Sequence, residues 1–314
     1  MMPSVRYCPW CGTANQSALP RCLSCGFFFQ SRSSSGRDEE QPLNHMTRWL
    51  KQRYLIMRCI GMGGMGVVYE AVDSVLHRRM AVKQMRLTKA FPYQEREAAN
   101  AFQREAVLLA QLDHIHLPKI YDYFSERGCC YLVMEFIAGT TLEAYLDAIP
   151  GRRLPIYHVL ALGIQLCSVL DFLHTRPSPI IFRDLKPSNI MITTSGKLYL
   201  IDFGIARYAR PGAGNDTLLL GTPGYAAPEQ YGKTQTTPRS DLYSLGAILH
   251  QLVTGDDPSR SPFQFAALDA GKYAIPVELA QLIWRMLDLH ENNRPASAML
   301  IRKQLQDIAR VIKV

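Results

Sequence analysis

Two different spacings of hydrophobic and polar residues divide this chain into a strand-like first part and a helix-like second part. Runs rich in β-branched and aromatic residues predict strands within 54–73, where a glycine-rich turn separates two of them, and within 78–87, 119–125 and 130–136. Helical spacing predicts helices over 95–112, 156–174, 240–254, 277–287 and 296–312. A strand-rich piece followed by a helix-rich piece indicates an α+β fold with two lobes and a cleft between them.

The composition is that of a globular protein. Hydrophobic residues make up 47% of the 314 residues, which is enough for a packed core. The formal net charge of +8 suits acidic partners such as phosphates or nucleic acid. The basic residues are scattered, however, so they indicate a solvated surface rather than a binding patch.

The sequence predicts a cytoplasmic protein with no membrane partner. The N-terminus, MMPSVRYCPWCG, lacks an apolar core of signal-peptide length. The most apolar stretch, residues 159–173, contains Gln165 and Asp171 and is too short to span a bilayer. We therefore expect it to be a buried helix.

Composition changes twice near the N-terminus, which predicts three parts. Residues 1–29 hold half of the eight cysteines and cannot build an apolar core. Residues 30–50 open with QSRSSSGRDEEQP, whose Ser and charged residues predict a flexible linker. The pattern of residues 51–314 is that of a folded domain.

Four cysteines in the first part have the spacing of a metal site. CPWCG and CLSCG are paired CxxC units, which place Cys8, Cys11, Cys22 and Cys25 on two tight turns. Four thiolates match tetrahedral Zn²⁺ and leave no open position, so the predicted site is structural. Two disulfides are the alternative, but nothing in the chain indicates an oxidising compartment. The segment resembles a short zinc ribbon; with few basic residues, it favours a protein partner over nucleic acid.

The segment GMGGMGVV places Gly61, Gly63 and Gly66 in a GxGxxG pattern. Glycines let backbone N–H groups approach phosphate oxygens. Alone, the pattern also fits a dinucleotide site or a plain hairpin turn. A dinucleotide site needs a helix after the last glycine, whereas VVYEAVD is strand-like, so a nicotinamide site is disfavoured.

Charged and polar residues then follow in an order that chance does not explain. Lys83 lies in a predicted strand and Glu105 on a predicted helix, from which it could pair with Lys83. Three segments follow. The loop RDLKPSN contains Asp184, Lys186 and Asn189, the segment IDFGIAR contains Asp202, and the segment TPGYAAPEQY contains Glu229.

In this order and spacing, residues 54–310 resemble the eukaryotic-type protein kinases, particularly the bacterial serine/threonine ones. The resemblance implies a two-lobed kinase fold and transfer of the ATP γ-phosphate to Ser or Thr hydroxyls of proteins. It also implies that Asp184 orients or accepts the hydroxyl proton and that Lys186 steadies the phosphoryl group. Lys83, paired with Glu105, would hold the α and β phosphates.

The resemblance further implies a nucleotide site and a metal site. Asn189 and Asp202 would bind Mg²⁺ or Mn²⁺. Met134 would be the gatekeeper beside the adenine pocket, ahead of a hinge at 135–137. The residues implied in contact with the nucleotide and its metal are Ile60, Gly61, Met62, Gly63, Gly64, Met65, Gly66, Val68, Ala81, Lys83, Met134, Glu135, Ile137, Asn189 and Asp202.

One position departs from the family pattern. Relatives usually have His where Phe182 stands, and that His packs against the Phe of the DFG segment, here Phe203. Phenylalanine keeps the apolar contact and loses one hydrogen bond, which costs about 1 kcal/mol. We therefore expect retained activity. The alternative, an ATP-binding pseudokinase scaffold, would be expected to lack Lys83, Asp184 or Asp202, and all three are present.

Other residues match the family's regulatory and structural positions. Thr217 is the expected phosphoacceptor of the activation loop, because a phosphate there could pair with Arg183. Thr222 is expected to hydrogen-bond near Asp184. Asp241 and an Arg294–Glu229 pair resemble internal anchors. His114, His116 and His174 are interpreted as structural, and Cys59, Cys129, Cys130 and Cys167 as core residues.

The expected partners are ATP and proteins with Ser or Thr acceptors. A homodimer is one arrangement that would permit autophosphorylation, and nucleic acid is not expected. Many relatives carry a membrane segment and a sensor after the kinase. Because this sequence shows neither, sensing is expected to come from the zinc ribbon or from other proteins.

Overall fold

The computed structural model describes residues 5–7, 14–16, 19–20, 48–63, 66–86, 106–107, 109–126, 129–202, 207–208, 221–232 and 235–312. The chain divides into two compact units. The first, here called the sheet unit, comprises residues 1–111 and 119–136. The second, the helical unit, comprises residues 112–118 and 137–314. A strand-rich unit and a helix-rich unit agree with the α+β prediction.

Strands dominate the described part of the sheet unit. They are β1 (Val5–Tyr7), β2 (Ala14–Gln16), β3 (Arg48–Leu50), β4 (Tyr54–Gly63), β5 (Gly66–Asp73), β6 (Arg78–Arg86), β7 (Ile120–Glu126) and β8 (Cys129–Glu135). β1 and β2 form an antiparallel hairpin. The other six strands form one antiparallel sheet in the order β3-β4-β5-β6-β8-β7. Of the helix predicted over 95–112, residues 106, 107, 109 and 110 are helical.

Strand β3 corrects the predicted end of the linker. The last three residues of the range 30–50 pair with β4 instead of remaining flexible. Leu50 is only 3% exposed and packs in the apolar core with Tyr54, whereas Trp49 is exposed. This alternation of one buried and one exposed residue is the pattern of a strand with one face on a core. The folded unit therefore begins by Arg48.

The turn after β3 bonds to β7, the strand at the other end of the six-stranded sheet. Lys51 Nζ lies 3.0 Å from Asp122 Oδ2 in β7, and the Lys51 backbone N–H donates to Glu126 Oε2 at 3.0 Å. Tyr54, which is fully buried, donates its hydroxyl to the same Asp122 carboxylate at 2.9 Å. Burial and this carboxylate raise the pKa of Tyr54. The phenol therefore stays protonated and keeps donating.

The helical unit combines six α-helices with short strands in its described part. The strands are β9 (Gly139–Thr141), β10 (Ile180–Ile181), β11 (Ile190–Thr193), β12 (Leu198–Leu200) and β13 (Arg207–Tyr208). The helices are α1 (Leu142–Asp147), α2 (Ile156–His174), α3 (Pro238–Thr254), α4 (Ala270–Tyr273), α5 (Val277–Met286) and α6 (Ala298–Val311). β12, β11 and β9 form a three-stranded sheet in that order, and β10 pairs with β13. The four long predicted helices agree with these bounds to within two residues.

Helix α2 lies at the core of the helical unit. A Cβ on Gly163 would lie 2.9 Å from Leu305 of α6 and 3.2 Å from Leu249 of α3, so glycine lets three helices approach closely. By length and composition alone, α2 could cross a membrane. Nine of its residues are buried inside the unit, which accounts for its apolar character as core packing.

Three histidines make the helical unit sensitive to acid. Burial lowers the pKa of His114, His116 and His250 below the ordinary value for histidine. The unfolded chain therefore binds more protons than the folded chain once the pH falls below about 6.5. We expect stability to hold above that pH and to fall below it, by up to about 1.4 kcal/mol per pH unit for each histidine.

Thermal unfolding followed by fluorescence between about pH 7.5 and pH 5 measures this effect. Replacing His116 and His250 by asparagine should flatten the dependence. A midpoint that rises on acidification would contradict the assignment.

Candidate active site

The glycine-rich segment is a hairpin turn between β4 and β5. Gly63 pairs with Gly66 across the hairpin, and Gly61 pairs with Val68. Gly64 and Met65 lie outside the described residues. Gly66 has φ +137°, a conformation that L residues rarely adopt. A Cβ at Gly66 would also collide with the backbone carbonyl of Gln84 in β6.

We expect Gly66→Ala to lower the unfolding midpoint, because both strain and collision oppose it. Gly61→Ala is the matched control, since a Cβ there would meet only the Val68 Cβ at 3.8 Å. Thermal unfolding of both variants tests the difference. Equal behaviour of the two would show that the close approach at Gly66 is not required.

One face of the sheet carries four of the predicted nucleotide-binding residues. Lys83 in β6 stands opposite Val68 in β5, and Ala81 stands opposite Met134 in β8. Directly opposed residues share a face, as do residues two apart in one strand, so these four side chains lie on the same face. The opposite face carries the apolar core, including Tyr69, Met80, Val82, Tyr131 and Val133.

Lys83 is only 5% exposed, which is unusual for a lysine. Its predicted partner, Glu105, lies outside the described residues. A buried ammonium on the face shared with Val68 and Ala81 fits the binding of a phosphate group. Four further residues were predicted to contact the nucleotide. Ile60 and Met62 are exposed on β4, Glu135 ends β8, and Ile137 is buried in the helical unit.

In the helical unit, Asp184, Lys186 and Thr222 form a closed triangle of polar contacts. Lys186 Nζ lies 2.9 Å from Asp184 Oδ2 and donates to Thr222 Oγ1 at 2.7 Å. The Thr222 hydroxyl in turn donates to Asp184 Oδ1 at 2.8 Å. A carboxylate that accepts a hydroxyl hydrogen beside an ammonium group is suited to orienting a hydroxyl nucleophile. The expected position of Thr222 near Asp184 is confirmed.

Asn189 and Asp202 fit a hard metal ion. The Asn189 amide nitrogen donates to the Asp184 carbonyl at 2.8 Å and to Asp184 Oδ2 at 3.0 Å, so Oδ1 is the amide atom that would bind a metal. The Ile201 N–H donates to the Asn189 carbonyl at 2.8 Å, which brings the next residue, Asp202, to this loop. Asp202 is exposed and has φ +65°. Carboxylate and amide oxygens are ligands that Mg²⁺ and Mn²⁺ accept.

The loop that carries Asp184 is anchored by a buried carboxylate. Asp241 is fully buried and accepts the N–H groups of Phe182 at 2.9 Å and Arg183 at 2.8 Å. It also contacts His174 Nε2 at 2.7 Å. Arg183 has φ +70°, and its carbonyl accepts from Gln230 at 2.8 Å. These contacts fix the backbone immediately before Asp184.

A buried ion pair anchors the segment that follows Thr222. Arg294 Nη1 lies 2.7 Å from Glu229 Oε1, and Nη2 lies 2.9 Å from Oε2. The Arg294 side chain is fully buried. Ser240 adds a hydroxyl donor to Glu229 at 2.7 Å. The sequence predicted the ion pair but not the contacts of Ser240 and Gln230. In the sequence, these two residues stand out only as polar residues within an otherwise buried segment.

Comparison with known families decides the identity of this arrangement. The protein kinase domain family matches residues 54–305. The chain belongs to the protein kinase family. The sheet from β4 onward and the anchored loop before Asp184 therefore belong to a kinase domain.

Curated bacterial relatives are similar to this kinase domain. They include serine/threonine-protein kinase PrkC of Bacillus subtilis, 36% identical over 231 residues (73% of this chain, 33% of the relative). Serine/threonine-protein kinase pkn2 of Myxococcus xanthus is 33% identical over 272 residues (79% and 31%). Serine/threonine-protein kinase PknD of Mycobacterium tuberculosis is 37% identical over 210 residues (66% and 30%). The chain spans about a third of the length of these relatives.

Phe182 anchors the loop before Asp184 through its backbone N–H. It is 1% exposed, and its N–H, which any residue at this position would supply, bonds Asp241. We expect Phe182→His to change the kcat of the kinase by less than about threefold and its stability by about 1 kcal/mol. Phe182→Ala, which leaves a cavity, should cost about 3–5 kcal/mol. Phosphotransfer kinetics and thermal unfolding check both, and a tenfold loss in the histidine variant would contradict this view.

Proposed function

We propose that this chain is an active serine/threonine protein kinase, transferring the γ-phosphoryl group of ATP to Ser or Thr hydroxyls of proteins. The observation that carries the proposal is the Thr222 hydroxyl donating to Asp184 while Lys186 bridges both side chains. This contact supports a carboxylate that receives hydroxyl hydrogens next to a fixed cation. The similarity to relatives named as serine/threonine kinases supports the same substrate class.

The residues divide the reaction between them. ATP with its metal supplies the transferable phosphoryl group. Asp184 orients the acceptor hydroxyl and takes its proton late in the transfer. Lys186 balances the charge that develops on the phosphoryl oxygens, while Asn189 and Asp202 would hold the metal. Lys83 would hold the α and β phosphates, with Glu105 as its proposed partner.

Labelled ATP, Mg²⁺ and a generic protein substrate test this function directly. We expect label on Ser and Thr, and on the kinase itself, by phosphoamino-acid analysis. Lys83→Met is the inactive control. Wild-type protein that binds ATP but transfers no label would favour the scaffold alternative instead.

We also propose that Cys8, Cys11, Cys22 and Cys25 bind structural Zn²⁺. All four lie outside the described residues, and the CxxC spacing supports the proposal. β1 and β2, which flank Cys8 and Cys11, form a hairpin of the kind that carries such a turn. Zinc analysis of purified protein should give about one ion per chain, lost when Cys8 and Cys11 are replaced by serine. Unchanged zinc content in that variant would contradict this site.

Homodimerisation and phosphorylation of Thr217, which also lies outside the described residues, are further proposals for regulation. A phosphate on Thr217 would be attracted to the guanidinium of Arg183. Phosphopeptide mapping that finds Thr217 unmodified in active protein would remove this proposal.

A further inference from the structure

Strand β12 leads to Asp202, and among the described residues its outer edge is closed by two residues rather than by another strand. β12 is the first strand in the order β12-β11-β9, so one edge faces away from β11. Open edges leave unpaired N–H and C=O groups that must be satisfied in another way. Here two residues from distant parts of the chain, His116 and Gln165, occupy that edge.

His116 bonds the edge of β12 in the manner of a neighbouring strand. Its Nδ1 donates to the Leu198 carbonyl at 2.9 Å, and its own carbonyl accepts the Leu200 N–H at 2.9 Å. The residue is 6% exposed, so water cannot easily replace these bonds. The imidazole thus supplies a donor that the backbone of a paired strand would otherwise provide.

Gln165 of α2 completes the edge. Its Oε1 accepts the Leu198 N–H at 3.0 Å, and its Nε2 donates to the Gly196 carbonyl in the turn before β12 at 3.1 Å. Together, Gln165 and His116 satisfy both the N–H and the carbonyl of Leu198, and the N–H of Leu200.

The His116 segment is itself held by α2. The His116 N–H donates to His114 Nδ1 at 3.2 Å, and the His114 ring lies 4.8 Å from the Phe172 ring. The His114 Nε2 lies 3.4 Å from the Ser168 hydroxyl. Residues 112–118 belong to the helical unit although both flanking stretches belong to the sheet unit. The position of His116 is therefore set by the helix that also carries Gln165.

Asp202 follows this edge by two residues. The Ile201 N–H bonds the Asn189 carbonyl on one side, and the Leu200 N–H bonds His116 on the other. We propose that His116, assisted by Gln165, is a positioning residue that fixes β12 and thereby holds Asp202 in place to bind the metal with Asn189. This inference rests on the proposed kinase function, because it assigns metal binding to Asp202.

The test compares variants that separate the hydrogen bond from packing. His116→Asn keeps a nitrogen donor at the same distance from the backbone, whereas His116→Leu keeps bulk and loses the donor. His250→Leu is the matched control. His250 is also buried, at 1% exposed, and bonds a backbone carbonyl at 2.8 Å, but that carbonyl belongs to Ala266, outside the strand and loop that carry Asn189 and Asp202.

Two measurements report on the metal site without relying on activity. Electron paramagnetic resonance gives the dissociation constant of Mn²⁺ in the presence of a non-hydrolysable ATP analogue. Hydrogen exchange followed by mass spectrometry reports the protection of residues 198–202. The Mg²⁺ concentration for half-maximal phosphotransfer provides a third value.

We expect His116→Leu to weaken Mn²⁺ binding by about tenfold, the loss typical when a residue that orients a metal ligand is removed. Exchange at residues 198–202 should become faster. His116→Asn should stay within about threefold of wild type, and His250→Leu should leave Mn²⁺ binding unchanged despite a lower unfolding midpoint. Should His116→Leu fail to fold, Gln165→Leu is expected to weaken Mn²⁺ binding in the same direction.

Equal Mn²⁺ affinity in wild type, His116→Leu and Gln165→Leu would overturn the inference. So would an equal loss in His116→Leu and His250→Leu, because general destabilisation would then explain it. Asp202→Asn separates this result from failure of the proposed function. If Asp202→Asn binds Mn²⁺ as well as wild type does, the metal assignment itself is wrong; if it loses binding while both edge variants keep it, only the positioning role fails.

Discussion

Replacing Asp184 by asparagine should lower kcat for phosphotransfer by about 10²–10⁴-fold, the range expected on removal of a general base. Asparagine has the same shape and can still accept the Thr222 hydroxyl through its oxygen. It can neither take a proton nor balance the Lys186 ammonium, which lies 2.9 Å away. The KM for ATP should change little, because the loss falls on the transfer step.

Steady-state kinetics with labelled ATP, together with ATP-analogue binding, separate these two effects for Asp184→Asn. Asp307→Asn is a suitable control, since Asp307 is an exposed carboxylate whose pairing with Arg310 is on the surface. A variant at Asp184 that keeps more than about a tenth of wild-type kcat would remove this carboxylate from the proton-transfer role.

Asp241→Asn should lower both stability and activity, with a loss of about 3 kcal/mol and a fall in kcat of about tenfold or more. Both carboxylate oxygens of Asp241 face donors, namely the N–H groups of Phe182 and Arg183 and the His174 ring. An amide NH₂ in place of either oxygen would face a donor and leave it unsatisfied in a buried site. The backbone of Phe182 and Arg183 would then shift, and it lies directly before Asp184.

Thermal unfolding and phosphotransfer kinetics measure the two effects of Asp241→Asn together, with Asp307→Asn as the surface control. Because the substitution preserves shape, packing changes do not explain a loss. Stability within about 0.5 kcal/mol of wild type would mean that the buried carboxylate is not the anchor of the catalytic loop.

Local patterns predicted the helices and the charged groups well because both depend on residues near each other in sequence. The bounds 156–174 agree with those of α2, whose apolar residues follow one continuous helical pattern. Asp184, Lys186 and Asn189 come together because six residues of one loop supply them. The long helices of the helical unit and its charged loop could therefore be anticipated.

Contacts between distant segments could not be predicted in this way. Gln165 interrupts the apolar pattern of its helix, yet it binds the turn before β12, 31 residues further along. His116 bonds Leu198, 82 residues away. A single sequence identifies such residues only as polar positions within buried stretches. Their partners are backbone groups, which leave no trace in the side-chain pattern.

The end of the linker shows a related limit. A three-residue strand is too short for alternation to be recognised, so Leu50 was indistinguishable from the last residue of a polar tether. Its burial depends on Tyr54 and on the rest of the apolar core, which the sheet brings together.

Strand β3 also determines where a recombinant fragment of the catalytic domain should begin. The family match begins at Tyr54, and a recombinant fragment started there would lose β3, the buried Leu50 and the Lys51–Asp122 ion pair. It would also uncover the edge of β4 to pairing with other chains, a common route to aggregation. A soluble catalytic fragment should therefore start at or before Arg48, and poor yields from shorter versions would reflect the missing strand rather than an unstable kinase domain.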